Sequence, residues 1–340
     1  MIPILTRKEH PAQNPGDVFI CYGLQWLIKQ VVGAPQFYLI DKFNREDFSQ
    51  ALPVIFKRGK LLYAGTPQYN NYDDWCLWYD WDIYKEFLIP AKIKFTTFAG
   101  GAGYPDNSMN PSEFSSYCRS SEKTINILHA RTSITECNTV RDEHSFQLLS
   151  DLKIKTELLP CTAFWASRWL GLSPKQSDII GLVPADPHMI KPQLLGFTTL
   201  KEVASWQVML FQRLQERLRE LGYGSIIVCH SENEYQNFRF MYSTWYTNDP
   251  VTLLRVYEGL HGVISMRLHA AIPVAGMNKR ALLLSIDTRA NAASILGIPV
   301  MKPNEDIDLI ISAYFSSSNN LTDKSILAEA RYLELLGEVL

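Results

Sequence analysis

Apolar positions recur in two rhythms along this 340-residue chain. In the second half, residues 201–221 carry Val203, Trp206, Met209, Leu210, Leu214, Leu218 and Leu221 three or four apart, and Gly222 follows. That spacing predicts an amphipathic helix stopped by glycine. Short runs at 226–229, 263–266 and 281–286 are apolar on nearly every position, which predicts strands buried on both faces. Between them Asp249-Pro250 predicts a helix to about residue 260, with aspartate as cap and proline at the first helical position. Residues 270–276 read as a short helix. Strands alternating with helices predict a doubly wound α/β domain.

The first half alternates less cleanly. Strands are predicted at 2–5, 37–40, 61–64, 93–98, 134–137 and 158–161. Helices are predicted from a cap at Asp17 to about 32, and at 111–118 and 142–149. Gly, Ser, Pro, Lys and Gln cluster at 171–178, which predicts a boundary there and domains of 1–172 and 173–340. A chain of this length exceeds the usual single core, so two α/β domains facing across a cleft are expected. The closing helix, predicted at 323–336, is placed to fold back across the boundary.

Composition narrows the classes. With 46% apolar and 20% charged residues the chain reads as a soluble globular protein. A formal net charge of −2 gives no electrostatic case for nucleic acid, so any anion site must be built locally. No apolar run approaches the ~18 residues of a membrane span, and residues 1–20 lack the apolar core of a signal peptide. Six scattered cysteines without a C-x-x-C pair argue against a zinc site and a disulfide framework. A reducing cytoplasm, including its membrane face, is the expected compartment.

Candidate chemistry collects at the predicted strand ends. Arg267 and His269 are two apart after the strand at 263–266, so an extended backbone projects them to one side. A guanidinium fork suits carboxylate or phosphate, and an imidazole exchanges a proton near neutral pH. Arg141, in Val140-Arg141-Asp142-Glu143-His144-Ser145, opens a helix and reads either as a crevice cation or as a partner of Asp142. His230 ends the strand at 226–229, either touching a ligand or satisfied within the protein. Arg289 follows Asp287 and reads as an anion anchor or as that aspartate's salt-bridge partner. Asn14-Pro15-Gly16-Asp17 is either an anion-binding helix start or a capped turn. Gly100-Gly101-Ala102-Gly103 is either a ligand loop or a tight turn. Trp75 and Trp78, among the aromatics and aspartates of 70–87, suit a sugar ring or pack a loop onto the core.

Taken together, N-x-G-D at 14–17, the glycine run at 100–103, V-R-D-x-x-S at 140–145, Leu159-Pro160-Cys161-Thr162-Ala163-Phe164 and Arg267-Leu268-His269-Ala270 resemble the polysaccharide pyruvyl transferase family over most of the chain. The resemblance implies two Rossmann-like domains in a glycosyltransferase-B-like arrangement. It implies transfer of a pyruvyl group from phosphoenolpyruvate to two hydroxyls of a sugar or glycan acceptor, free or lipid-linked, as a cyclic ketal. Phosphoenolpyruvate is then a co-substrate, and neither cofactor nor metal is expected. His269 and Arg267 match the catalytic positions, and Arg141 and Arg267 the donor-binding arginines. Arg289 and His230 join the donor side in the second domain. Asn14, Gly16, Asp17, Gly101, Gly103, Trp75 and Trp78 form the acceptor side in the first. Pro15 and Arg289 stand where many relatives carry a small polar residue and a lysine. A glycosyltransferase-like enzyme using a nucleotide sugar, and an inactive glycan-binding homologue, are the alternative readings.

Overall fold

A computed structural model describes residues 1–8, 15–74, 82–103, 109–317 and 322–340. Two parallel sheets organise them. The first holds β1 (Ile2–Thr6), β2 (Phe37–Asp41), β3 (Lys60–Ala64), β4 (Pro67–Tyr69), β5 (Lys94–Ala102), β6 (Thr135–Val140) and β7 (Glu157–Leu158). Its order is β2-β1-β3-β5-β6-β7, with β4 beside β5. The second holds β8 (Ile179–Val183), β9 (Gly224–Cys229), β10 (Thr244–Tyr246), β11 (Gly262–Ser265), β12 (Arg280–Leu284) and β13 (Val300–Met301), ordered β10-β9-β8-β11-β12-β13. In each sheet the winding reverses beside its first strand, between β1 and β3 and between β8 and β11. A reversal of this kind opens a crevice beyond the carboxyl ends of the strands.

Helices on the first sheet are α1 (Pro15–Val32), α2 (Arg45–Arg58), α3 (Pro111–Arg119), α4 (Glu122–Thr132) and α5 (Glu143–Asp151). The second sheet carries α6 (Leu200–Glu220), α7 (Glu232–Phe238), α8 (Pro250–Glu258), α9 (Leu268–Gly276) and α10 (Ile307–Ser316). Local chemistry sets many of their starts. Asn44 accepts the N–H groups of Glu46 and Asp47 ahead of α2, and Gly59 closes that helix at φ 68°. Asp142 accepts the Ser145 N–H at 2.8 Å ahead of α5, and Thr199 forms a capping box with Glu202 ahead of α6.

Several expectations are corrected. Helix α1 begins at Pro15, so Asp17 lies inside its first turn instead of capping it; its carboxylate meets Lys42 Nζ at 2.9 Å. Strand β5 runs through Gly100 and Gly101, so the glycine run is the end of a strand and not a loop after one. There the ladder slips register between Thr97 and Gly100, with Ala99 at φ 56°. The strand predicted at 158–161 is shorter, Glu157–Leu158, and a 3-10 turn, Thr162–Trp165, follows. Strand β12 ends at Leu284, and Arg289 stands on the separate turn Thr288–Ala290. Strand β8 and helices α2, α4 and α10 were not predicted.

One apolar core runs through both halves. It joins Ile4, Leu24 and Leu62 to Val183, Val263 and Leu283 by way of α1, the Thr162–Trp165 turn and α9. Two glycines let those pieces close up. A Cβ on Gly23 of α1 would stand 1.6 Å from the Thr162 carbonyl oxygen, and one on Gly276 of α9 1.8 Å from that of Phe164. The last helix, α11 (Thr322–Val339), packs against α1 and β6 of the first half. Tyr332 donates to the Pro160 carbonyl at 2.7 Å, Arg331 Nε to Glu157 at 2.8 Å, and Lys60 Nζ to the Val339 carbonyl at 2.6 Å. The fold-back expected of the closing helix is thus present. Although it follows the second sheet in sequence, this helix finishes the layer over the first.

Candidate active site

The crevice at the β8/β11 reversal is lined by Asp186, His230, Met266, Arg267, His269 and Arg289, among others. Ser265, the last residue of β11, shapes its floor. Its hydroxyl accepts the Arg267 N–H and donates to the Arg267 carbonyl, both at 2.8 Å, turning the chain from strand to helix. Arg267 therefore stands at the helix mouth and His269 in the first turn of α9. Glu234 of α7 is wholly buried and receives Arg267 Nε at 2.5 Å. The same carboxylate accepts the His230 N–H at 2.6 Å, tying two crevice residues to one anchor. Burial pushes the Glu234 carboxyl up from its ordinary value, while Arg267 pulls the other way. Arg289 Nε meets Asp287 at 2.8 Å, as the salt-bridge reading expected, and its guanidinium still lines the crevice.

The first half closes the site. Arg141, one residue past β6, is completely buried, and its Nη1 lies 3.1 Å from His269 Nε2. A guanidinium only donates, so Nε2 is the acceptor and the imidazole proton is on Nδ1. Cys161 Sγ lies 3.8 Å from the same nitrogen. Arg141 Nε and Nη2 have no hydrogen-bond partner among the described residues. Asp142 is spent elsewhere, on the N–H groups of Ser145 and Ala102, so the Arg141–Asp142 pairing is not formed. Two glycines make room. A Cβ on Gly101 would fall 2.5 Å from Arg141 Nε, and one on Gly16 2.7 Å from His269 Nδ1. Such clearances leave space for a neighbouring side chain and for no other.

Burial and the Arg141 charge drive the His269 pKa well below its ordinary 6.5, with Arg289 and Lys42 adding to the effect and Asp17 opposing it. The resting imidazole is neutral. Asp17 shows the converse balance. Burial raises it, but Lys42, with Arg141 adding, holds it below the ordinary 3.8. Among the described residues, these buried guanidinium nitrogens lack acceptors beside the imidazole, and oxygen acceptors are what such donors require.

Of the residues named from sequence, Arg141, Arg267, Arg289, His230 and His269 converge on this crevice, with Gly16, Asp17 and Gly101 fitted around them. Gly103 packs against Pro67, where a Cβ would stand 2.8 Å from the proline Cβ. Asn14, Trp75 and Trp78 lie outside the described residues. Sequence reading missed Lys42, Glu234, Cys161 and Tyr257. Lys42 directly follows strand β2, so the strand-end rule that found Arg267 applies to it equally. Among the described residues no group of His, Cys, Asp and Glu is arranged to hold a metal ion.

The sequence model of the polysaccharide pyruvyl transferase family matches residues 14–288. The chain belongs to that family. The match takes in four of the five convergent residues and ends just before the fifth, Arg289. This polysaccharide pyruvyl transferase has no match among curated proteins. Its fold is shared with UDP-GlcNAc 2-epimerase of Methanocaldococcus jannaschii, at a TM-score of 0.57 and 10% identity over 99% of both chains. MnaA of S. aureus, solved with UDP, follows at a TM-score of 0.53 and 10% identity, over 100% of this chain and 97% of that one. At such identity the likeness is one of fold, a two-domain glycosyltransferase-B-like arrangement. No helix among the described residues is long and apolar enough to cross a membrane.

Proposed function

We propose that this pyruvyl transferase takes its pyruvyl group from phosphoenolpyruvate and joins it to two hydroxyls of a sugar, in a glycan or glycan precursor, as a cyclic ketal. The observation that carries the reading is the contact of Arg141 with His269 across the two halves, ringed by Arg267 and Arg289. A donor with one carboxylate and one phosphate calls for several guanidinium groups, and a methylene carbon to be protonated calls for an acid beside them. The donor occupies the second-half crevice, and the acceptor approaches from the first half past Gly16 and Asp17.

The resting state of His269 orders the steps. Arg141 turns its unpartnered nitrogens to the incoming anion and releases Nε2. The neutral imidazole then takes the proton of the first sugar hydroxyl as that oxygen bonds to donor C2. In the same concerted addition the imidazolium returns the proton to the methylene carbon, which takes it with the former C2=C3 π pair and becomes a methyl group. Phosphate leaves with its bonding pair, and the oxocarbenium-like centre at C2 is attacked by the second hydroxyl. That hydroxyl's proton departs with phosphate, and the ketal ring is closed. Arg141, Arg267 and Arg289 orient the donor and stabilise the charge that accumulates on the leaving phosphate.

The test is phosphate release from phosphoenolpyruvate with pooled glycan acceptors, with His269→Ala as control. Acceptor-dependent release that falls by roughly 10²–10⁴ in the variant is expected. No release from the wild type with any acceptor removes the reading. Protection of the chain by a nucleotide sugar in place of phosphoenolpyruvate redirects it to glycosyl transfer.

A further inference from the structure

His230 is the second histidine of the crevice, and its hydrogen bonds are unbalanced. It is 2% exposed, its Nε2 is bonded to the Tyr257 hydroxyl, and its Nδ1 has no partner among the described residues. Tyr257, on α8, is 0% exposed. Two arrangements of protons are possible. If His230 Nε2 carried the proton, Tyr257 would accept it, and the buried phenol proton would have nothing else to meet. The Nδ1 lone pair would also stand bare toward the arginines of the crevice. If Tyr257 donates instead, Nε2 accepts and the phenol is satisfied. One group then remains open, an Nδ1–H on the side chain that lines the crevice. Each arrangement leaves one buried donor unmet, but the first strands the Nδ1 lone pair as well; an unmet buried group costs roughly 1–3 kcal/mol, so the second arrangement prevails.

The geometry points to Tyr257 as a positioning residue that locks His230 in its Nδ1–H tautomer, so that a neutral imidazole donates a hydrogen bond to the anionic donor substrate. The backbone is fixed from below as well, because Glu234 accepts the His230 N–H while it holds Arg267. Among the described residues, the titratable groups facing His230 include Tyr257 on its Nε2, Arg267 and His269 beside the ring, and Glu234 on its backbone N–H. Burial, followed by the charge of Arg267, keeps the His230 pKa well below 6.5, which agrees with a neutral donor. His230 and His269 then share a tautomer for opposite ends. In His269 the Nε2 lone pair, once Arg141 releases it, is offered to a proton; in His230 the lone pair is used up and the N–H is offered to an anion. The donor role rests on the proposed use of phosphoenolpyruvate, whereas the tautomer rests on the hydrogen bonds alone.

Two measurements on the full-length chain test it. Long-range ¹⁵N–¹H correlation spectra of histidine-labelled protein, with His230 assigned from its loss in His230→Asn, should show protonated Nδ1 and bare Nε2 without ligand. Tyr257→Phe should shift that ring toward the other tautomer. In steady-state phosphate release, Tyr257→Phe and His230→Gln should raise KM for phosphoenolpyruvate about tenfold with a smaller change in kcat. His230→Asn, whose amide nitrogen falls where Nδ1 stands, should recover most of that loss. A protonated Nε2 in the wild type, or a tautomer unmoved in Tyr257→Phe, overturns the lock. Equal KM effects of the Asn and Gln variants overturn the donor role. If the wild type does not turn over phosphoenolpyruvate, the functional reading fails, and the spectra still decide the tautomer.

Discussion

Gly16 has the least freedom of the residues around His269. A methyl group there would press within 2.6 Å of the His269 Cβ and 2.7 Å of Nδ1, so the ring must leave its place against Arg141. Gly16→Ala is therefore expected to cut turnover at least about tenfold, because an imidazole displaced by about 1 Å loses its reacting geometry. Denaturant unfolding should show a much smaller effect; a variant with unchanged turnover would sever Gly16 from the chemistry. Arg141→Lys tests the fork in the same way. An ammonium keeps the charge but not the planar set of donors, and a fall in donor affinity of about tenfold or more is expected from the KM for phosphoenolpyruvate. Wild-type affinity in that variant would mean that charge alone suffices.

At the scale of elements, the close approaches of α1 and α9 to the Thr162–Trp165 turn carry the junction between the halves. Gly276→Ala drives a Cβ to 1.8 Å from the Phe164 carbonyl and forces that turn aside. A loss of roughly 1–3 kcal/mol in denaturant unfolding is expected, and an unshifted midpoint would show that α9 can slide. How much of this could be read in the sequence follows the same physics. Strand ends bearing His230 and Arg267 were legible because their strands are short apolar runs, whereas Arg141 follows the largely polar β6 and was legible as the residue that opens a helix beside Asp142. Strand β8 was overlooked beside the boundary cluster, where Ser177-Asp178 runs directly into Ile179. Glu234 was illegible: a glutamate in the first turn of a short helix reads as a solvated cap residue, and only the fold shows it sealed under Arg267. The Gly23 and Gly276 approaches join distant segments, so nothing in their neighbourhood announces them.

For the whole molecule, the two crevice histidines set the response to acid. Burial and nearby positive charge hold both His230 and His269 well below the ordinary 6.5 in the folded chain. The unfolded chain takes up protons at that ordinary value and the native state does not, so stability declines as pH falls below about 6.5. Asp17 acts later. Its depressed pKa contributes stability above 3.8 that disappears as pH drops through its lower folded value. Urea midpoints at pH 7.5, 6.5 and 5.5 should therefore fall in sequence, and a flat series would mean that the histidines titrate alike in both states. The order of manufacture has a different logic. Because α11 covers the sheet formed by the first residues, ribosomal synthesis completes the inserted half, strands β8 to β13, before the half that began first. The nascent first sheet waits, one flank uncovered, until α11 emerges. A chain cut before α11 would thus carry its damage in the first sheet, far away in sequence from the cut.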